Sequence, residues 1–332
     1  MNTGVIEIAY EQPTGQNSAE IQKDLSGGAV SPLKTNWDEI IHAAITLGRN
    51  GWPLGCSLAR MSNLSSASYE VMFRVSLLLM AVEESDNSLK KTKSFMNLDP
   101  TEKGMASYFL GMTFCNLFAS HYLQAFLLHI DVYGKKDITL LRSRSRPDLF
   151  GWYLDGDSYQ GIVMEAKGRS NPSSKTNIVD QAKKQLGNVF SINGAPPALR
   201  VVGISDFDRK DEVGDLRFFW KPLNLNTDTG EWAKFSPYKK RNNTLPEIGS
   251  LWKKHYELAI EADETLAKIG VAVTVHEDIK KLYKTPEATI WNVLDKLKEN
   301  KGTWEGYSFD GICVRAKSGW FSNLQHLIHE EG

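Results

Sequence analysis

Apolar positions change their spacing several times along the chain, and each change predicts an element. Val5 to Tyr10 alternates like a short strand. Residues 11–35 are rich in Gly, Ser, Asn, Gln and Thr and read as a loose leader. From Asn36 the period becomes helical. Asn36 can cap a helix starting at Trp37, with Ile40, Ile41, Ala44 and Ile45 on one stripe and Gly48 near the end. Ser66 to Glu84 predicts a second helix with Val71, Val75, Leu78, Leu79 and Val82 as its apolar face. Residues 85–101 are polar and read as a connector.

The middle of the chain is richer. Residues 102–125 predict a long helix, apolar at Phe109, Met112, Phe114, Leu117, Phe118 and Tyr122. Leu127 to Tyr133 alternates, Thr139 to Leu154 reads as one bent strand or two short ones, and Gln160 to Lys167 is a strand. Thr176 to Phe190 predicts a helix, and Ala198 to Ser205 and Leu216 to Trp220 are strands. The order is α-β-β-β-α-β-β. Residues 223–243 are a polar connection, helices follow near 246–268 and 286–300, and Tyr307 to Arg315 is a late strand. The pattern predicts an α/β chain in three parts: a leader and helical region over 1–101, a mixed-sheet core over 102–222, and a helical region with a late strand over 223–332.

Composition narrows the class. The 332 residues carry 39 basic and 40 acidic side chains, an ordinary globular balance that excludes a disordered tail, a collagen repeat and a disulfide scaffold. Cys56, Cys115 and Cys313 are far apart and form no metal spacing, as expected in a reducing compartment. Met1 to Gln12 has no secretory pattern, and the most apolar run, Ser76 to Val82, is too short to span a bilayer. A cytoplasmic protein that does not enter a membrane is expected. Near-neutrality speaks against a broad basic coat for nucleic acid. Counted by segment it is a cancellation: residues 135–200 hold eleven basic and six acidic side chains, a net of +5.

That segment also carries the candidate chemistry. Four acidic-x-Lys triplets occur, at Asp208, Asp278, Glu299 and Glu165, about what chance provides, and the first three lie in charged or polar stretches. Glu165-Ala166-Lys167 instead ends a β-type run. Alternation puts Ile162, Met164 and Ala166 on one face and Val163, Glu165 and Lys167 on the other. Seventeen residues earlier stands Pro147-Asp148, the one Pro-Asp in the chain. A hairpin at Asp155-Gly156-Asp157 would fold the two strands antiparallel and bring Asp148 to Glu165. Two carboxylates suit a hard cation such as Mg²⁺, and a neighbouring lysine can orient a water and offset charge at phosphorus. The plainer reading is an ion pair on a solvated sheet face with Asp148 in turn chemistry.

These residues, inside that element order, resemble the PD-(D/E)XK nuclease superfamily with its restriction-endonuclease-like fold, and more distantly uncharacterised bacterial restriction or defence nucleases. The resemblance covers about residues 102–221. It implies an αβββαβ core flanked by helices, hydrolysis of DNA, Mg²⁺ (or Mn²⁺) held by Asp148 and Glu165, and Lys167 serving the attacking water. It also implies a further acid from the first core helix, for which Glu102 is the candidate, and a glutamine from the following helix, Gln181 or Gln185. Restriction or phage defence would be the setting, with a homodimer or a defence-system partner protein. Two rival readings use the same residues: a non-catalytic nucleic-acid-binding or assembly module, and a nuclease directed at RNA. Arg142, Arg144 and Arg146 alternate beside Asp148, and Arg169, Lys175, Lys183 and Lys184 extend the basic row. Of these, Arg144, Arg146, Arg169 and Lys184, with Gln181, are the expected nucleic-acid contacts.

Overall fold

The computed structural model describes residues 5–11, 32–47, 66–131, 138–141, 145–155, 158–172, 175–192, 194–210, 212–223, 271–284 and 311–316. In chain order the elements are β1 (Ile6–Glu11), β2 (Leu33–Thr35), α1 (Trp37–Thr46), α2 (Ser66–Ala81), β3 (Val82–Ser85), β4 (Ser88–Lys91), α3 (Lys93–Asn97) and α4 (Pro100–Leu123). Then come β5 (Phe126–His129), β6 (Ile138–Leu140), β7 (Leu149–Asp155), β8 (Ser158–Gly168), α5 (Lys175–Gly187), β9 (Val189–Ile192), β10 (Leu199–Phe207) and β11 (Leu216–Pro222). The last are β12 (Val271–Val275), α6 (Glu277–Lys284) and β13 (Ile312–Ala316).

Seven strands form one mixed sheet in the order β2-β1-β11-β10-β8-β7-β5. β7 and β8 are an antiparallel hairpin, in register from Leu149 opposite Met164 to Asp155 opposite Ser158. β8 and β10 are parallel, which a crossover must connect, and α5 supplies it. Between residues 102 and 222, the elements of this sheet and its covering helices run helix, three strands, helix, two strands. The chain is therefore mixed α/β. The leader's β1 and β2 also join this sheet, beside β11.

α4 lies on one face. Asp99 caps it and makes a reciprocal capping box with Glu102, and Pro100 occupies its first turn. From Leu110 to Ala119 every residue of α4 is buried, because the sheet covers one side and α1 the other. Asn116 is tolerated there because its Nδ2 donates to the Ala43 carbonyl at 2.9 Å and to Thr46 Oγ1 at 3.2 Å. α1 begins as the sequence predicts, with Asn36 accepting from the Glu39 N–H at 3.0 Å. Its last turn is closed by buried Arg74 of α2, whose Nη1 donates to the carbonyls of Ala44 and Leu47 at 2.9 and 2.7 Å. β13, paired with β12, packs on the outside of α1. The opposite face of the sheet is covered by α5 and by β9, which pairs with β6.

Several expectations shift. The second helix stops at Ala81, and the polar connector is a hairpin, β3–β4, followed by α3 and the start of α4. Asp86 and Asn87 both adopt left-handed φ, 55° and 59°, which builds the tight two-residue turn that a helical reading overlooks. Thr139 to Leu154 divides into β6 and β7, which belong to different sheets. The helix expected over Thr176 to Phe190 ends at Gly187, and β9 follows it. β12 and α6 lack a counterpart in the pattern reading. The connection after Leu223 and the helices near 246–268 and 286–300 lie outside the described residues.

Glycines set how closely α4 approaches the sheet. A Cβ on Gly168 would lie 1.6 Å from the Ser107 carbonyl oxygen, one on Gly111 would lie 2.5 Å from the Gly168 nitrogen, and one on Gly203 would lie 2.3 Å from Cys115 Sγ. Gly104, exposed on the same helix, is different: a Cβ there meets nothing within 4 Å. Gly168→Ala is expected to cost about 3 kcal/mol through forced backbone movement, while Gly104→Ala gains up to ~1 kcal/mol of helix propensity. Urea unfolding of the two variants checks this; equal stabilities would refute the close-approach account.

Candidate functional site

The hairpin delivers the expected pair. One step beyond the Leu149–Met164 partners, Asp148 stands opposite Glu165, and the two are locked reciprocally. The Asp148 N–H donates to Glu165 Oε2 at 3.2 Å, and the Ala166 N–H donates to Asp148 Oδ2 at 3.0 Å. Lys167 Nζ pairs with Glu165 Oε1. Glu165 has no solvent exposure, whereas the Lys167 side chain retains 21%. The face carrying Glu165 is thus buried, against the plain picture of a solvated ion pair.

Burial is the main cause of the unusual acidity here. It pushes the Glu165 carboxyl up to about 7, and the Asp148 charge adds to the rise while Lys167 opposes it. Burial also raises Asp148, again opposed first by Lys167. Burial pushes the Tyr108 phenol up to about 12 and the Cys115 thiol well above its usual range, and the charges of Asp148 and Glu165 add to both. Both residues sit on α4, which packs on the face of β8 that Gly168 presents, opposite the face carrying Glu165. Perturbed groups clustered at a strand mouth mark a functional candidate.

The remaining sequence-predicted residues divide. Arg146 lies in the segment leading to Asp148, and its Nε pairs with Asp131. Residues 145–147 are irregular, because Pro147 cannot continue a ladder, and Arg142 lies outside the described residues. Arg144 lies outside the described residues. Arg169 is exposed just past β8, and its N–H donates to the Ser205 carbonyl at 2.8 Å. Gln181 and Lys184 are exposed on α5. The glutamine that reaches the site loop is Gln185, whose Nε2 donates to the Arg146 carbonyl at 3.1 Å. Asn188 holds the neighbouring Ser145 carbonyl.

Glu102 is corrected. It is exposed and used in the capping box, where its carboxylate accepts from the Asp99 N–H at 3.2 Å. Among the described residues no group of three or more His, Cys, Asp or Glu side chains is placed to hold a metal, so Glu102 does not join Asp148 and Glu165. Asp131 and Tyr108 are the neighbours that sequence reasoning left aside. Alternation puts Asp131 on one strand face with His129, a pair that reads as polar residues at the core edge, whereas Tyr108 sits one residue from the buried stripe of a helix and did not announce itself by spacing. The donor set suits a hard divalent cation. It offers two oxygen ligands, and a cation between them would offset the burial that raises both carboxyls. No membrane-length apolar helix occurs among the described residues. Comparison with protein-family models, curated proteins and solved structures gave no match.

The folded state keeps both carboxyls more protonated than the unfolded chain does. The contribution of Glu165 to stability is therefore complete below about pH 4.5 and is lost as pH rises through about 7, and that of Asp148 likewise falls as pH rises. Urea titration of the metal-free protein from about pH 5 to about pH 8 should show stability falling across that window, with a visibly shallower fall in Glu165→Gln. Parallel profiles would contradict the burial of a titrating pair.

Proposed function

We propose that the protein is a metal-dependent nuclease that hydrolyses DNA phosphodiester bonds on a restriction-endonuclease-like, PD-(D/E)XK-type core. The observation that carries this reading is the reciprocal lock that sets Asp148, Glu165 and Lys167 together at one strand mouth. The element order around them and the parallel β8–α5–β10 unit support it.

Asp148 and Glu165 would hold Mg²⁺, or Mn²⁺ in its place. When bound, the ion supplies charge neutralisation at a phosphoryl oxygen and a more acidic water. The chain's own groups do the rest. Lys167, partly exposed and anchored on Glu165, orients the attacking water and offsets negative charge as it grows at phosphorus. Burial of Glu165 within the sheet keeps its carboxylate poorly hydrated, which strengthens its hold on a cation. The water oxygen forms a new bond to phosphorus, one ester P–O bond breaks, and the departing oxygen takes up a proton. Arg169, exposed beside Lys167, is suited to grip a flanking phosphate. A setting in restriction or phage defence, in the cytoplasm and with a second copy or a defence partner, rests on the family resemblance alone.

Purified protein incubated with plasmid and Mg²⁺ or Mn²⁺ should nick or cut it, and Asp148→Ala and Lys167→Ala should each lose at least about 100-fold in rate. Wild type and variants behaving alike would sink the catalytic reading. Binding without cleavage would indicate a non-catalytic module, and preferential cleavage of RNA in a parallel assay would redirect the substrate.

A further inference from the structure

Five large apolar side chains are exposed among the described residues: Val5, Phe73, Met105, Tyr108 and Val213. Met105 and Tyr108 stand one turn apart on α4. They lie at the site, because the Ser107 carbonyl between them packs on Gly168, the residue after Lys167. Tyr108 keeps 47% of its surface in solvent, whereas Glu165 has none.

Gly104 is the second observation. It is one turn before Tyr108, at an exposed helical position where glycine weakens the helix. Gly111, Gly168 and Gly203 each answer a close approach, but around Gly104 there is open space, so packing gives no reason for it. A missing side chain one turn from an exposed ring leaves a flat approach to that ring.

We propose that Gly104, Met105 and Tyr108 form a stacking subsite for an unpaired nucleobase next to the phosphate held at Asp148, Glu165 and Lys167. This rests on the nuclease reading. A base has the planar face that an exposed tyrosine takes without regard to sequence. A paired base within a duplex keeps its face inside the stack, so the occupant comes from single-stranded or frayed DNA. A protein partner is disfavoured by size, since two side chains fall far short of the area a specific interface buries.

The test uses the full chain with Ca²⁺ replacing Mg²⁺ and a single-stranded DNA oligonucleotide carrying 2-aminopurine, whose fluorescence falls on stacking. Wild type and Tyr108→Phe should quench the probe and bind alike. Tyr108→Ala should lose the quenching and weaken single-strand binding roughly 5- to 150-fold, with duplex binding unchanged. Gly104→Leu should weaken single-strand binding similarly while its thermal midpoint holds or rises, which separates obstruction from misfolding. Normal single-strand binding by Tyr108→Ala, or equal losses on duplex and single strand, would overturn the subsite. If wild type still cleaves DNA in Mg²⁺, the nuclease reading survives that result. Wild type that neither binds nor cleaves any nucleic acid overturns both.

Discussion

Glu165 is a carboxylate without solvent exposure in the middle of a seven-stranded sheet, and the cost of putting it there organises this end of the molecule. An ionised carboxylate taken from water costs several kcal/mol unless opposite charge and hydrogen bonds replace its hydration. Lys167 supplies the charge, and the Asp148 N–H supplies a hydrogen bond. The return bond from Ala166 to Asp148 then extends the β7–β8 ladder one step past its last strand pair. The contacts that make Glu165 tolerable are thus the contacts that fix the hairpin's register. Register and site cannot be varied independently: a one-residue slip would move Glu165 to the face that α4 occupies.

Each wall of the site is anchored by a different part of the chain. α4 presses on the end of β8 and the middle of β10 only because glycines stand at the crossings, and its buried polar residue Asn116 is satisfied by α1. Arg74 of α2 then fastens α1, and β13 covers it, so sequence-distant segments support one helix. From the other side, Gln185 and Asn188 at the end of α5 hold the carbonyls of Arg146 and Ser145, which fixes the segment entering Asp148. A rigid approach to a reacting group is what small displacements at catalytic sites demand.

Much of this was legible in the sequence where one periodicity persists. α1 with its Asn36 cap, α4, and the β7–β8 pair announce themselves through long or alternating apolar runs, and the pairing of Asp148 with Glu165 follows from parity and turn position. What escaped was set by tertiary context. β3–β4 contains too few apolar residues to alternate visibly, and its Asp86-Asn87 turn reads equally as part of a polar connector. β9 follows α5 after a single residue, so the helical pattern runs on into it. Glu102 has the residue type and helix expected of a ligand, but capping competes for an acid in the first turn and prevailed. Gln181 and Gln185 are one turn apart, and only packing decides which of them reaches the site.

The charge arithmetic also changes meaning at atomic scale. Residues 135–200 carry a net of +5, yet two of those cations are already engaged at the site, Lys167 on Glu165 and Arg146 on Asp131. Asp148, Glu165 and Asp131 balance Lys167, Arg146 and Arg169, so the strand mouth itself is close to neutral, while exposed Lys184 adds positive charge from α5. Such a surface draws a polyanion by its flanks, through a field that ionic strength screens within about 10 Å at 0.1 M salt. At its centre, an anionic group meets the buried Glu165 and part-buried Asp148 carboxyls, which disfavour it unless a cation intervenes. Under the nuclease reading, the ion's charge is therefore needed for admission of the phosphate as well as for chemistry, and the basic segment alone would concentrate nucleic acid near the site without seating it.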